Sequence, residues 1–295
     1  MLTKHNIKYK SRNYSGLFLY KRMKVAIQGI KGSNHHIVVQ DYFDENIELD
    51  ECLSFDILVD SLLNQKSDVG IMAIENTIAG SIIPNYALID NNDLHIAGEY
   101  YLNIHHHLMA LKGQTIDDIT EVYSHPMALL QCKEFFKEYK NIKLIEDVDT
   151  AEVAKRISEN QLKNVAAIAP KIAAEIYGLS VLSSEIQTMK NNSTRFVIVQ
   201  TAQPKNGKES INKASLKFEL DHKRGSLAAV LNVMSDCKLS LTKIQSLPKI
   251  ETPWKYAFFV DVTFDAYEDY EKAKKIVAIM AEHFKVLGEY KNGRG

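Results

Sequence analysis

The chain has 295 residues, 45% hydrophobic and 25% charged, with a formal net charge of −1. That is ordinary globular composition with room for two domains, and it argues against a dedicated nucleic-acid binder, which would carry a basic face. Cys52, Cys132 and Cys237 are scattered and form no CxxC, which argues against a disulfide framework or zinc site and fits a reducing cytoplasm. No apolar run approaches the roughly 20 residues of a membrane span.

In chain order, residues 1–22 carry basic residues and no acid. Their apolar stretch, SGLFLY, is too short for a signal-peptide core, so a disordered or misassigned leader is expected before Met23. From Lys24, short apolar strands alternate with amphipathic helices, the pattern of an α/β domain. KVAIQG reads as a strand, HHIVVQDYF and SFDILVDSLLNQ as helices, DVGIMAI as a buried strand and SHPMALLQCKEFFKEY as one long helix. TAEVAKRISEN follows, with Asp149 and Glu152 spaced as a capping box. NVAAIA is a strand, and PKIAAEIYG a helix with Pro170 at its start and Gly178 past its end. Residues 201–212, TAQPKNGKESIN, have almost nothing to bury and read as a linker. Beyond them, ASLKFEL, GSLAAVLNVMSDC, LSLTKIQSL, KYAFFVDVTF, YEDYEKAKKIVAIMAEHF and KVLGEY give the order βαββαβ of a ferredoxin-like unit.

Chemistry in open α/β sheets gathers where strands end and helices begin, and several such junctions are polar. Gly29 to His35 has two glycines ahead of a helix N-terminus, which favours an anion. Ile74 to Ser81 offers neutral donors in Asn76, Thr77 and Ser81, although an ordinary capped turn would look the same. Ser124-His125-Pro126 opens a helix, where Ser124 or His125 can cap and His125 could donate to a carboxylate. NNSTRFVIV, 191–199, leads from polar residues into an apolar strand, and Arg195 at its mouth needs a partner. Arginine suits two-pronged contact with a ligand carboxylate, but a structural Asp or Glu would serve as well.

Other signals carry less. His105, His106 and His107 alternate in a strand-like stretch, so His106 faces away from its neighbours, and no ligand-spaced partner stands nearby. His35 and His36 are adjacent and cannot share a helix face, and no GxSxG occurs. Trp254, Tyr256 and Phe258 read as packing for a strand and its entry.

Together, GIKGSNHH, IENTIAGS, SHPMALLQC, DVDTAEVA, VAAIAPKIAAEIYGL and NNSTRF resemble the prephenate dehydratase family, in family order, from Met23 to about Gln200. Thr194-Arg195-Phe196 matches the family's most specific motif, and the following βαββαβ unit resembles its ACT regulatory domain. The resemblance implies a two-lobed, periplasmic-binding-protein-like catalytic domain over 23–200, a linker over 201–212 and an ACT domain over 213–292. It implies conversion of prephenate to phenylpyruvate, water and carbon dioxide in phenylalanine biosynthesis, with no cofactor, metal, nucleic acid or membrane involved. A cytoplasmic homodimer or homotetramer is expected.

On this resemblance Thr194, Arg195 and His125 are the expected catalytic residues, with Arg195 holding a substrate carboxylate and Thr194 serving the leaving hydroxyl. Gly32, Ser33, Asn34, Asn76, Thr77, Gly80, Ser81, Ser124, Asn192, Ser193 and Phe196 are expected to complete the substrate pocket. Phenylalanine is the expected effector, at Gly225, Ser226, Leu227 and Ala228 and at Gln245, Ser246, Leu247 and Pro248. In the second segment the family's Glu and Arg are replaced by Gln245 and Leu247, which weakens the expectation of inhibition. The alternatives are an arogenate dehydratase and a non-catalytic two-lobed sensor. The short leader is not expected to form a chorismate mutase domain.

Overall fold

The computed structural model describes residues 22–43, 47–204, 207–221, 223–248 and 255–294. The leader before Arg22 and Trp254 lie outside the described residues.

The first lobe is built from β1 (Lys24–Gln28), α1 (Asn34–Tyr42), β2 (Glu48–Cys52), α2 (Phe55–Leu63), β3 (Val69–Asn76), β4 (Gly80–Ser81), α3 (Ile83–Asn91) and β5 (His95–Asn103). The chain then crosses to a second lobe of β6 (His107–Ala110), β7 (Glu121–Ser124), α4 (Pro126–Cys132), β8 (Lys143–Glu146), α5 (Thr150–Glu159), β9 (Val165–Ala169), α6 (Lys171–Tyr177) and β10 (Ser180–Ser183). It returns to the first lobe as β11 (Ser193–Gln200). The sheet orders are β2-β1-β3-β11-β5, with β4 on β3, and β10-β6-β9-β7-β8. The architecture is α/β and two-lobed, like periplasmic binding proteins. Two crossovers, after β5 and after β10, join the lobes, and β11 lies inside the first sheet between β3 and β5.

Each sheet is covered on both faces. In the first lobe Val25 and Ile27 pack with Val38 and Val39 of α1, while Ala26 packs with Leu58, Leu62 and Ile89 of α2 and α3. This is the period-two alternation of a doubly covered strand. In the second lobe α4 covers one face, and α5 and α6 the other.

The C-terminal unit is β12 (Lys213–Glu219), α7 (Ser226–Asp236), β13 (Ser240–Pro248), β14 (Tyr256–Thr263), α8 (Tyr267–Met280) and β15 (His283–Tyr290), in the ferredoxin-like order β13-β14-β12-β15. One face packs on α7 and α8 through Val260, Val262 and Phe218. The other face sends Ala257, Phe259, Leu287 and Tyr290 into the core of the first lobe, beside Met72, Ile74 and Val197. The first lobe and the C-terminal unit therefore share a hydrophobic core.

Several expected boundaries move. The helix expected from 124 to 139 stops at Cys132, and a 3-10 turn, Phe135–Glu138, follows. Phe135, Phe136 and Tyr139 pack there as a cluster of rings, which the turn brings together. The last helix ends at Met280, and His283 and Phe284 already belong to β15. Asp149 caps α5 by accepting from the backbone N–H groups of Ala151 and Glu152, so the cap is made from the Asp149 side. The alternating strand expected through the histidines is interrupted: β5 ends at Asn103 and β6 starts at His107, with 104–106 forming a crossover. At the end of the segment expected as a linker, Ile211 is buried and Asn212 O accepts from Phe264 N, so this part is packed.

The contact between β5 and β15 depends on Gly288, where a Cβ would lie 2.3 Å from Ile96 O. A backbone oxygen cannot give way like a flexible side chain. Gly288→Ala is expected to destabilise the protein by about 1–3 kcal/mol, measured by denaturant unfolding; an unchanged midpoint would show that the contact is not tight.

Candidate active site

The cleft between the lobes encloses about 530 Å³, within the range of small-molecule sites. The N-terminal turns of five helices open into it: Ser33, Asn34 and His35 of α1; Ser54, Phe55 and Asp56 of α2; Ile82, Pro84 and Asn85 of α3; His125 and Met127 of α4; Asp149 and Thr150 of α5. Each first turn presents backbone N–H groups and the positive end of a helix dipole. Among the described residues no lysine or arginine lines the cleft. A second hollow of about 790 Å³ lies outside α1, around Lys31, Gln40 and Glu48, and holds none of the polar junction residues proposed for the pocket.

Strand β11 floors the cleft, and its side chains alternate. Thr194 and Phe196 face the cleft, while Arg195 and Val197 face the opposite way. Asn76 fixes the Thr194 hydroxyl. Its Oδ1 accepts from the backbone N–H groups of Ile78 and Ala79 at 2.9 and 2.8 Å, which turns its Nδ2 toward Thr194 Oγ1 at 3.0 Å and Asn192 Oδ1 at 2.7 Å. Because Thr194 Oγ1 accepts from Asn76, its own proton remains available to a ligand.

The expectation that Arg195 holds a substrate carboxylate is corrected. Arg195 is 4% exposed on the far side of the sheet. Its Nε donates to Glu99 Oε2 at 2.7 Å, its Nη2 to Tyr290 Oη at 2.9 Å, and its Nη1 to Asp261 Oδ2. Lys213 Nζ adds bonds to both Glu99 oxygens at 2.9 and 2.8 Å, and Ser215 Oγ donates to Asp261. Burial works against the charge on Arg195, but Asp261, Tyr290 and Glu99 outweigh it and raise its pKa. Burial likewise opposes ionisation of Asp261, yet Arg195 and Ser215 hold its carboxyl below the usual range.

Other expected pocket residues also lie elsewhere. Ser124 is fully buried and donates to Ile168 O at 2.7 Å, so it ties β7 to β9. Thr77 Oγ1 accepts from Ser193 N at 3.0 Å, a contact that pins the turn after β3 to the start of β11, outside the cleft lining. Gly80 and Ser81 form the short β4, and Ser81 Oγ accepts from Lys243 Nζ. Gly32 has φ +94, and a Cβ there would sit 3.2 Å from Ala173 Cα, so it permits close approach of the two lobes. Ser33, Asn34, Asn76, Asn192, Phe196 and His125 do line the cleft. His125 caps α4, its Nδ1 accepting from Met127 N at 3.2 Å.

The cleft also contains residues that the motif reading did not select. His35 is buried, edge-on to Phe196 at 4.9 Å, with no partner for Nε2; burial pushes its pKa down to about 3. His106, Gln131 and Asp149 are among the others, and burial raises the pKa of Asp149. Helix-N-terminal position was the available signal for His35. Gln131 lies within the stretch SHPMALLQC, but was not singled out there. Among the described residues no group of three or more His, Cys, Asp or Glu is placed to hold a metal ion.

The sequence profile of the prephenate dehydratase family matches residues 25–204. The chain belongs to the prephenate dehydratase family. A bifunctional chorismate mutase/prephenate dehydratase of Buchnera aphidicola (subsp. Acyrthosiphon pisum) is 32% identical over 270 residues, 89% of this chain and 69% of the relative. An arogenate dehydratase/prephenate dehydratase of Arabidopsis thaliana is 33% identical over 279 residues, covering 91% and 73%. In fold, the chain is similar to a prephenate dehydratase from Arthrobacter aurescens solved with L-Phe, at TM-score 0.81 and 22% identity, covering 92% and 90%. As a member of this family the chain is a dehydratase, a carbon–oxygen lyase, and the sensor alternative falls away.

Two measurements check the site. Arg195→Met breaks a buried ion cluster and is expected to cost about 3–5 kcal/mol of stability, leaving KM of the folded fraction unchanged; a raised KM with full stability would restore Arg195 to the cleft. For His35 the folded pKa lies below the unfolded one, so the unfolded state binds the proton between pH 6.5 and about 3. Stability is therefore lost as pH falls through that window, by about 1.4 kcal/mol per pH unit from this residue. Unfolding of His35→Phe should lack that share of the acid slope.

Proposed function

We propose that the chain converts prephenate to phenylpyruvate, carbon dioxide and water in phenylalanine biosynthesis, within a catalytic domain spanning 23–200. The observation that carries this reading is a cleft with an oriented hydroxyl, many neutral donors and, among the described residues, no lysine or arginine. Prephenate carries two carboxylates and a ring hydroxyl. The bond to the ring carboxyl breaks, its electron pair enters the ring, and the carbon–oxygen bond to the hydroxyl breaks as the ring becomes aromatic. One proton is needed to release the hydroxide as water.

An arginine tightly paired to the departing carboxylate would stabilise the ground state more than the transition state, because carbon dioxide leaves neutral. A cleft that has, among the described residues, no lysine or arginine in its lining avoids that penalty. The helix N-termini suit the retained carboxylate, and the Thr194 hydroxyl suits the leaving oxygen, where charge develops. A threonine hydroxyl is a weak acid, so Thr194 gives a hydrogen bond, with His125 or a water completing proton delivery. Ser33, Asn34, Asn76, Asn192 and Phe196 complete the pocket.

A second reading, preference for arogenate, has one specific support. Asp149 presents an acid to a cleft that is lined, among the described residues, by no lysine or arginine, and arogenate carries an ammonium on its side chain where prephenate carries a ketone.

We further propose that residues 213–292 act as an ACT regulatory domain, joined through 201–212, with phenylalanine bound near Gly225–Ala228 and Gln245–Pro248. Pairing of these units into a homodimer or homotetramer, in the cytoplasm, belongs to the same proposal. Leu241 and Ile244, exposed on the edge strand β13, support such pairing.

Kinetics on prephenate and arogenate, each with and without phenylalanine, tests the reading. Turnover of prephenate is expected, with Thr194→Val lowering kcat by roughly 10²–10³ at similar KM. Near-normal turnover by Thr194→Val would remove its role, higher kcat/KM on arogenate would select the second reading, and a flat response to millimolar phenylalanine would reject inhibition.

A further inference from the structure

The hydrogen bonds that orient Thr194 continue beyond Asn76 and can be followed by donor and acceptor alone. Backbone N–H groups cannot accept, so the end of Asn76 facing Ile78 and Ala79 is its oxygen, and the end facing Asn192 is its NH₂. Asn192 therefore turns Oδ1 to Asn76, and its Nδ2 donates to Gln131 Oε1 at 2.8 Å. The same Gln131 oxygen lies 2.8 Å from His106 Nε2. An amide oxygen cannot donate, so His106 Nε2 must carry the hydrogen.

His106 is rigidly held for this task. It sits in the crossover between the lobes, 5% exposed, with its backbone N–H on Gln187 Oε1 at 2.9 Å and its carbonyl accepting from Ile186 N at 2.9 Å. Its Nδ1 is buried without a partner, so a second proton there would place an uncompensated charge in the interior. The ring stays neutral, with its one hydrogen on Nε2.

We infer that His106 is a positioning residue for the dehydration: it locks the Gln131 amide with its oxygen turned away and its NH₂ end available to the cleft, and braces the Asn192–Asn76–Thr194 chain across the two lobes. The inference rests on the role given to Thr194 above. Without the His106 hydrogen, the Gln131 oxygen is held by the Asn192 bond alone, so its NH₂ end is less firmly kept toward the cleft and the amide chain loses its brace to the crossover.

The test begins with wild-type turnover of prephenate and arogenate, whose absence would sink the functional reading rather than this one. His106→Phe keeps a ring of similar size and removes the donor; His106→Gln keeps an N–H near the Nε2 position. His106→Phe is expected to lower kcat/KM about a hundredfold, with His106→Gln recovering most of it. In a Gln131→Leu background, His106→Phe should cause no further loss, an outcome that a merely structural histidine would not give. Independently of any variant, nitrogen NMR of the wild-type protein should find the neutral Nε2–H form of His106 from pH 6 to 8. Full activity in His106→Phe, no recovery in His106→Gln, additive losses in the double variant, or an Nδ1–H form would overturn the inference.

Discussion

The buried ion cluster around Arg195 is the constraint on which the rest of the molecule depends. Arg195 and Lys213 oppose Glu99 and Asp261, and the hydroxyls of Tyr101, Ser215 and Tyr290 fill the remaining hydrogen-bonding positions. Desolvating such charges costs several kcal/mol per ion unless geometry and partners are complete; here they are. The cluster joins β5 and β11 of the first lobe to β12, β14 and β15 of the C-terminal sheet. One residue along β11, on the other face, stands Thr194. If the C-terminal unit regulates as proposed, a shift of its sheet would pull on the backbone that carries the cleft hydroxyl, and a coupling of about 1–3 kcal/mol would be enough.

That arrangement divides the Thr-Arg-Phe motif between two tasks. Ion pairs are concentrated behind the sheet, where they bind domain to domain, while among the described residues no lysine or arginine lines the cleft, where a firm ion pair would oppose departure of carbon dioxide. Helix N-termini supply graded positive potential instead, with hydroxyl and amide groups oriented by backbone donors. Preorganised neutral dipoles act on developing charge without the ground-state penalty of a salt bridge.

Much of this was legible in the sequence. Turn residues and hydrophobic periods gave the α/β class and the βαββαβ unit, and the motif stretches gave the family and, through that resemblance, the expectation of two lobes. Local pattern could not reveal the partners of Arg195, because Glu99 and Asp261 lie 96 and 66 residues away. Strand periodicity did carry a warning: adjacent residues on a strand face opposite ways, so Thr194 and Arg195 could not both face one ligand. Ser124 looked like a pocket residue because small hydroxyl residues at helix starts serve caps, pockets and strand ties equally well. His106 was set aside as a metal ligand on sound grounds, but its contact with Gln131 joins residues 25 apart and appears only in three dimensions.

The most direct test is a crystal structure of the enzyme with a non-reactive dicarboxylate analogue of the substrate in the cleft. The account predicts ligand carboxylates met by helix N-terminal amides, a ligand oxygen within hydrogen-bond distance of Thr194 Oγ1, and Arg195 still bound to Glu99 and Asp261. A complex in which Arg195 leaves that cluster and grips a ligand carboxylate would contradict it.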